Sequence, residues 1–237
     1  GWLDPANSMI FNFSAGTVLA GIVALVIFGG LHRIAAVAGR LVPTMAVLYI
    51  GAALFVIVTN LDQVPGILWL IITDAFTGTA VAGGAIGAVI STGVRRGVFS
   101  NEAGVGTEAM AHGAAKTQEP IREGLVAMVG PIIDTLFICT CTAIIILLSG
   151  VWQSGDANGV TMTARAFQEM IPHVGLVILV TCIFFFGIST IFSYSYYGAK
   201  CLGFLIGAER QHYYNYLIVV MTVVAAMMSI DAMVNLI

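Results

Sequence analysis

The sequence predicts an all-α, polytopic membrane protein, and three observations carry that reading. The 237 residues are 59% hydrophobic and 9% charged, with a mean hydropathy of +1.00. A water-facing domain carries roughly 25% charged residues, so this chain has too few to cover such a surface. Apolar runs recur along the whole length, and several are long enough to cross a hydrocarbon core of about 30 Å. Nine Lys and Arg against twelve Asp and Glu give a net charge of −3 and no basic field, which argues against a nucleic-acid partner.

Six spans are expected, at about 13–31, 41–60, 64–94, 123–150, 174–199 and 213–230, with an inner loop over 95–122. They make one carrier segment over the whole chain. The first break, Leu31 to Arg40, carries His32, Arg33 and Arg40; the second, Asn60 to Pro65, carries Asp62 and Gln63. Basic residues then set direction, because they gather on the cytoplasmic side. With the first break inside, Arg33, Arg40, Arg95, Arg96, Lys116, Arg122, Lys200 and Arg210 are cytoplasmic and Arg165 alone is outside. The reverse orientation puts all eight outside. The first span therefore runs from outside to inside.

The third span is too long to be a simple crossing. From Val64 to Phe99 one helix would reach about 54 Å, and it contains the run FTGTAVAGGAIG from Phe76 to Gly87. Each glycine weakens a helix by roughly 1 kcal/mol relative to alanine. Either a surface helix precedes a normal span, or the span breaks near Thr77–Gly84, or both. A broken span marks a binding site in secondary transporters, where freed backbone lines a cavity. Close helix packing on small residues is the alternative.

Two polar features lie inside apolar spans. Asp134 follows Pro131 in the fourth span and needs a partner or water. It reads either as an ion or proton relay, or as a carboxylate nearer the interface bonded to a hydroxyl such as Thr135. The fifth span carries Gly187, Ser189, Thr190, Ser193, Tyr194, Ser195, Tyr196 and Tyr197. Hydroxyls and freed carbonyls are hard, uncharged donors that suit a weakly held monovalent cation. The alternative is hydroxyls bonding back to their own helix.

The inner loop should be helical from Thr107 to Lys116, with Thr107 as N-cap and Glu108 reaching His112 one turn on. Glu102, Glu108 and His112 could form an acid/base or metal set, but the chain has no H-E-x-x-H, no G-x-S-x-G and no P-loop. No enzyme is read here. Cys139, Cys141, Cys182 and Cys201 lie in or beside apolar stretches and read as packing residues. Because the chain starts at Gly1 and stops at Ile237 beside an apolar helix, it reads as an internal piece of a longer protein.

The runs RGVFSNEAGVGTEAMAHGAAKT from Arg96 and EPIREGLVAMVGPIIDTLFICTCTAIIILLSG from Glu119 resemble the alanine/glycine:cation symporter family, the sodium:alanine symporters. AFTGTAVAGGAIGA upstream and GISTIFSYSYYGAKCLG downstream agree in order and spacing. The resemblance implies Na⁺-coupled carriage of a small neutral amino acid, alanine or glycine, with Na⁺ as coupling ion and no organic cofactor. It implies a multi-pass protein of the plasma membrane, on the leucine-transporter type of inverted repeat. The six spans would be spans 4 to 9 of that fold, with spans 1–3 and span 10 missing and the third span broken. On that basis Phe76, Thr77, Gly78 and Thr79 flank the substrate, and Gly83 and Gly84 leave room for a small side chain. Gly187, Ser189 and Thr190 hold Na⁺. Tyr194 falls where many relatives carry tryptophan, which leaves open how the pocket closes. Proton coupling, with Asp134 as the relay, is the alternative. An ion channel or non-transporting membrane subunit predicts no saturation and no Na⁺ dependence; an intramembrane enzyme finds little support in His32, His112, His173 and His212, which all fall at span edges or loops.

Overall fold

The computed structural model describes residues 5–76, 86–102, 106–155 and 159–228. Among them the chain is helical. Four stretches are long and apolar enough to cross a membrane: Met9–Ile27, Gly30–Thr59, Pro120–Ser149 and Gly175–Ile206. In chain order the helices are α1 (Pro5–Ile27), α2 (Gly30–Thr59), α3 (Val64–Phe76), α4 (Ile86–Asn101), α5 (Thr107–His112), α6 (Pro120–Ser149), α7 (Val160–Met170), α8 (Gly175–Ile206) and α9 (Tyr213–Met227).

The first connection is not where the polar residues put it. His32, Arg33 and Arg40 lie inside α2, and the break is confined to Phe28 and Gly29. Gly30 turns the chain with φ of +71°, a left-handed conformation that glycine adopts without strain. The segment from Leu31 to Arg40 holds three alanines and two arginines, all good helix formers, so its charge does not stop the helix. At about 1.5 Å per residue, α2 is roughly 45 Å long, which leaves its basic first third free to extend past the hydrocarbon core.

The inner loop expected over 95–122 is also largely helical. Helix α4 continues through Arg95 and Arg96 to Asn101, α5 covers Thr107–His112, and α6 already begins at Pro120, whose missing N–H costs nothing at a helix start. Residues 77–85, which hold the expected break, lie outside the described residues. Between α6 and α8, α7 is an element that the pattern of apolar runs does not predict.

The contacts divide the chain into two compact units. The first comprises residues 1–43 and 185–237. Its core is Val23 and Ile27 of α1, Ile34 of α2, and Ile188 and Phe192 of α8. Helix α1 packs along α9, and they approach so closely at Gly16 that a Cβ there would lie 2.6 Å from that of Ala226. Arg33 folds back to donate from Nη1 to the Leu25 carbonyl at 2.8 Å, satisfying an acceptor in the last turn of α1.

The second unit comprises residues 44–184. Its core joins Ala52, Ala53 and Val56 of α2, Cys141 and Ile145 of α6, Ala166 and Phe167 of α7, and Leu179 of α8. Phe167 is fully buried, with its ring 5.5 Å from that of Tyr49. The Tyr49 hydroxyl bonds the Thr142 hydroxyl. Because Thr142 already donates to the Ile138 carbonyl at 2.8 Å, Tyr49 is the donor of that pair.

Candidate functional site

The residues singled out in the sequence fall in different parts of the fold. Phe76 ends α3; Thr77, Gly78, Thr79, Gly83 and Gly84 lie outside the described residues. Gly187, Ser189, Thr190 and Tyr194 are on α8, in the first unit. Asp134 is on α6, in the second.

On α8 the hydroxyls bond to their own helix. Ser189 and Thr190 both donate to the Phe186 carbonyl at 2.9 Å, and Ser193 donates to the Ser189 carbonyl at 3.2 Å. Both hydroxyls lie within one helical turn of Gly187. Ser189 is buried, whereas Gly187 is exposed, with nothing within 4 Å of where its Cβ would be. Tyr194 is 41% exposed and meets Tyr197 edge-on, with the ring centroids 5.7 Å apart. Ser195, only 1% exposed, donates to the Phe192 carbonyl at 2.7 Å, so its hydroxyl is spent within the packed face of the helix.

Helix α6 has a different local structure. Residues Ile132–Cys139 wind as a π-helix directly after Pro131. Proline removes one backbone donor, and the wider winding re-forms the ladder as i→i+5 bonds. Such segments are rare and recur at functional sites. Asp134 and Thr135 stand on this segment and face the end of α4. The Ser100 hydroxyl donates to Asp134 Oδ2 at 2.7 Å, and Asn101 Nδ2 donates to Thr135 Oγ1 at 3.3 Å. Two consecutive residues of one helix thus bracket two consecutive residues of the other. Glu102, immediately beyond, has φ of +55°, a left-handed conformation that strains a residue bearing a Cβ.

The sequence offers Asp134 either as a relay or as a carboxylate bonded to a hydroxyl such as Thr135; the hydroxyl that bonds it is Ser100, 34 residues earlier. Ser100 and Asn101 of the SNEAG run fall in the expected inner loop but close α4, which brings them to α6. His112 likewise bonds Glu123, with Nδ1 to Oε1 at 2.6 Å, across the turn between α5 and α6. The expected pairing with Glu108 was local; the partner found is on the next helix. The residue before α5 is Gly106, and Thr107 is its first residue rather than its cap, with a buried hydroxyl that finds no partner among the described residues.

Against protein-family models, residues 5–237 match the sodium:alanine symporter family. The chain belongs to that family. Members are transporters rather than enzymes, and with its long apolar helices this one is a multi-pass membrane protein. The sodium/alanine symporter AgcS of Methanococcus maripaludis is 38% identical over 218 residues, covering 89% of this chain and 48% of that protein. The probable sodium/glutamine symporter GlnT of Bacillus subtilis is 40% identical over 199 residues, covering 84% and 42%. A sodium/proton-dependent alanine carrier protein of Bacillus sp. (strain PS3) is 31% identical over 229 residues, covering 87% and 52%. The chain therefore spans about half the length of the curated relatives it matches.

Proposed function

We propose that this chain is the central portion of a Na⁺-coupled symporter for a small neutral amino acid, alanine or glycine, in the plasma membrane. The match to the symporter family over residues 5–237 carries that reading. In it the chain is a single carrier segment of six spans, corresponding to spans 4 to 9 of a leucine-transporter-type inverted repeat, with spans 1–3 and 10 supplied by the rest of the protein. Helices α3 and α4 are the two halves of a broken span. Phe76, Thr77, Gly78 and Thr79 flank the substrate, a half-helix N-terminus faces its carboxylate, and Gly83 and Gly84 limit side-chain size. Tyr194 borders the pocket.

Na⁺ is taken by Ser189 and Thr190 with the Gly187 carbonyl. Their hydroxyls each keep a lone pair after donating to Phe186, which supports this assignment. Coupling is linkage: if Na⁺ and amino acid favour the same outward-open arrangement, each raises the other's affinity. A potential of 100 mV supplies about 2.3 kcal/mol per charge, or roughly fiftyfold accumulation.

The test is uptake of labelled alanine, glycine and glutamine by proteoliposomes of the intact protein, with Na⁺ or K⁺ outside. Saturable, Na⁺-dependent uptake of alanine or glycine, weakened by Ser189→Ala with Thr190→Ala, is the expected result. Preference for glutamine would overturn the substrate, and absence of uptake would overturn the function. A second reading, coupling to protons as well, is favoured by the relatives named as sodium/proton-dependent carriers; uptake driven by a pH gradient alone would establish it.

A further inference from the structure

We propose that Asp134, with the Ser100 hydroxyl, forms a second Na⁺ site in this carrier, on helices other than the one that bears Ser189 and Thr190. The proposal rests on the symporter reading and adds a site to it. Asp134 lies at the midpoint of the 30-residue apolar stretch Pro120–Ser149. It is half-buried, and its hydrogen-bond partner among the described residues is a neutral hydroxyl at 2.7 Å. Among the described residues no basic group forms an ion pair with it. Arg95 and Arg96 stand about one turn before Ser100 on α4, the helix that packs against the π-segment; both are exposed and neither bonds the carboxylate.

Holding α4 against α6 does not require that charge. An asparagine carbonyl would accept the Ser100 proton equally well without the desolvation that an ionised group bears in a span. Placing a carboxylate there is favourable when a cation neutralises it. The donors at hand are hard oxygens, a carboxylate and a hydroxyl that can rotate its lone pairs inward, and these select an alkali cation over a softer metal. The surroundings hold the geometry: the Asn101–Thr135 bond fixes α4 and α6 one residue further along each helix, and the π-winding turns Asp134 and Thr135 toward α4. When Na⁺ binds, the Ser100–Asp134 bond opens and both oxygens turn to the ion. The end of α4, which leads into the inner loop, is thereby tied to the charge state of α6.

The test is equilibrium binding of radioactive Na⁺ to the purified intact carrier, beside charge movement per alanine in proteoliposomes. Asp134→Asn, the same shape without the charge, should lose one bound Na⁺ or weaken binding by about tenfold or more, and should move one charge fewer per alanine. Asp134→Glu should keep the site, and Ser100→Ala should weaken it with the charge ratio unchanged. Unaltered Na⁺ binding in Asp134→Asn would overturn the site. So would a variant that binds Na⁺ normally but loses its pH dependence, since the carboxylate would then carry a proton. Because binding is read without transport, a protein that binds Na⁺ through Asp134 but takes up no amino acid would sink the symporter reading and leave this one standing.

Discussion

Gly16→Ala tests the closest helix contact in the first unit. The added methyl carbon would sit 2.6 Å from Ala226 Cβ, with Val223 Cα and its carbonyl oxygen at 3.6 Å. Carbon pairs rest at about 3.5–4.0 Å, so the shortfall is about 1 Å against Ala226 and negligible against Val223. Neither methyl can rotate away, since each is the first carbon of its side chain on a helical backbone. Helices α1 and α9 must therefore part or slide. Overpacking of this kind costs about 1–3 kcal/mol, which should lower the unfolding temperature of the intact protein in detergent by a few degrees. The strain is specific to one atom pair, so Ala226→Gly in the Gly16→Ala background should recover most of the loss, with a coupling of about 1 kcal/mol or more in the double-mutant cycle. Unfolding followed by tryptophan fluorescence reads all four proteins. A Gly16→Ala protein as stable as its parent, or a double variant no better than the single one, would refute the close approach of α1 to α9.

Three further outcomes follow from the second unit. Phe167→Ala removes a fully buried ring from the α2–α6–α7–α8 core and should cost about 3–5 kcal/mol, read as a lower denaturation midpoint. Thr142→Val leaves the Tyr49 hydroxyl without its acceptor in a packed interior and should destabilise by about 1–3 kcal/mol, whereas Tyr49→Phe, which leaves Thr142 bonded to Ile138, should cost less; equal losses would contradict the donor assignment. Glu123→Gln weakens the tie between α5 and α6, so limited proteolysis should cut between His112 and Pro120 faster than in the parent, and unchanged cleavage would show that the His112 contact does not hold that turn.

The membrane class and the family were legible from composition, apolar run length and a few specific motifs. Helix ends were less so. The charges of Leu31–Arg40 read as a connection, yet a helix carries charge well beyond the bilayer when its residues favour helix, and the break lies at Phe28 and Gly29, which carry no charge at all. Helix α7 escaped because its burial depends on Ala166 and Phe167 meeting partners far along the chain, Ala52, Ala53 and Cys141 among them. Asp134 was picked out by position alone. Its partner was not, because a bond between residues 100 and 134 leaves no trace in local spacing. The same limit hid the His112–Glu123 pair, where a good local partner at Glu108 satisfied the pattern and the fold chose another.

The π-segment has a consequence for how one span serves two neighbours. Asp134 and Ile145 are eleven residues apart, close to three turns of an ordinary α-helix, so an unbroken α6 would present both on nearly the same side. A π-helix advances roughly 80° per residue where an α-helix advances about 100°. Over the five steps from Asp134 to Cys139 the difference accumulates to about a quarter turn. That rotation lets the first half of the span offer its carboxylate to α4 while the second half buries Ile145 and Cys141 against α2 and α7. Deleting a single residue within Ile132–Cys139 would let the stretch revert to α-helix. With that residue taken from between Asp134 and Cys139, ten α-helical steps to Ile145 would turn the same roughly 1000° as five π and six α steps, so the shorter span would keep both faces where they are, whereas the full-length span needs the π-winding to do so.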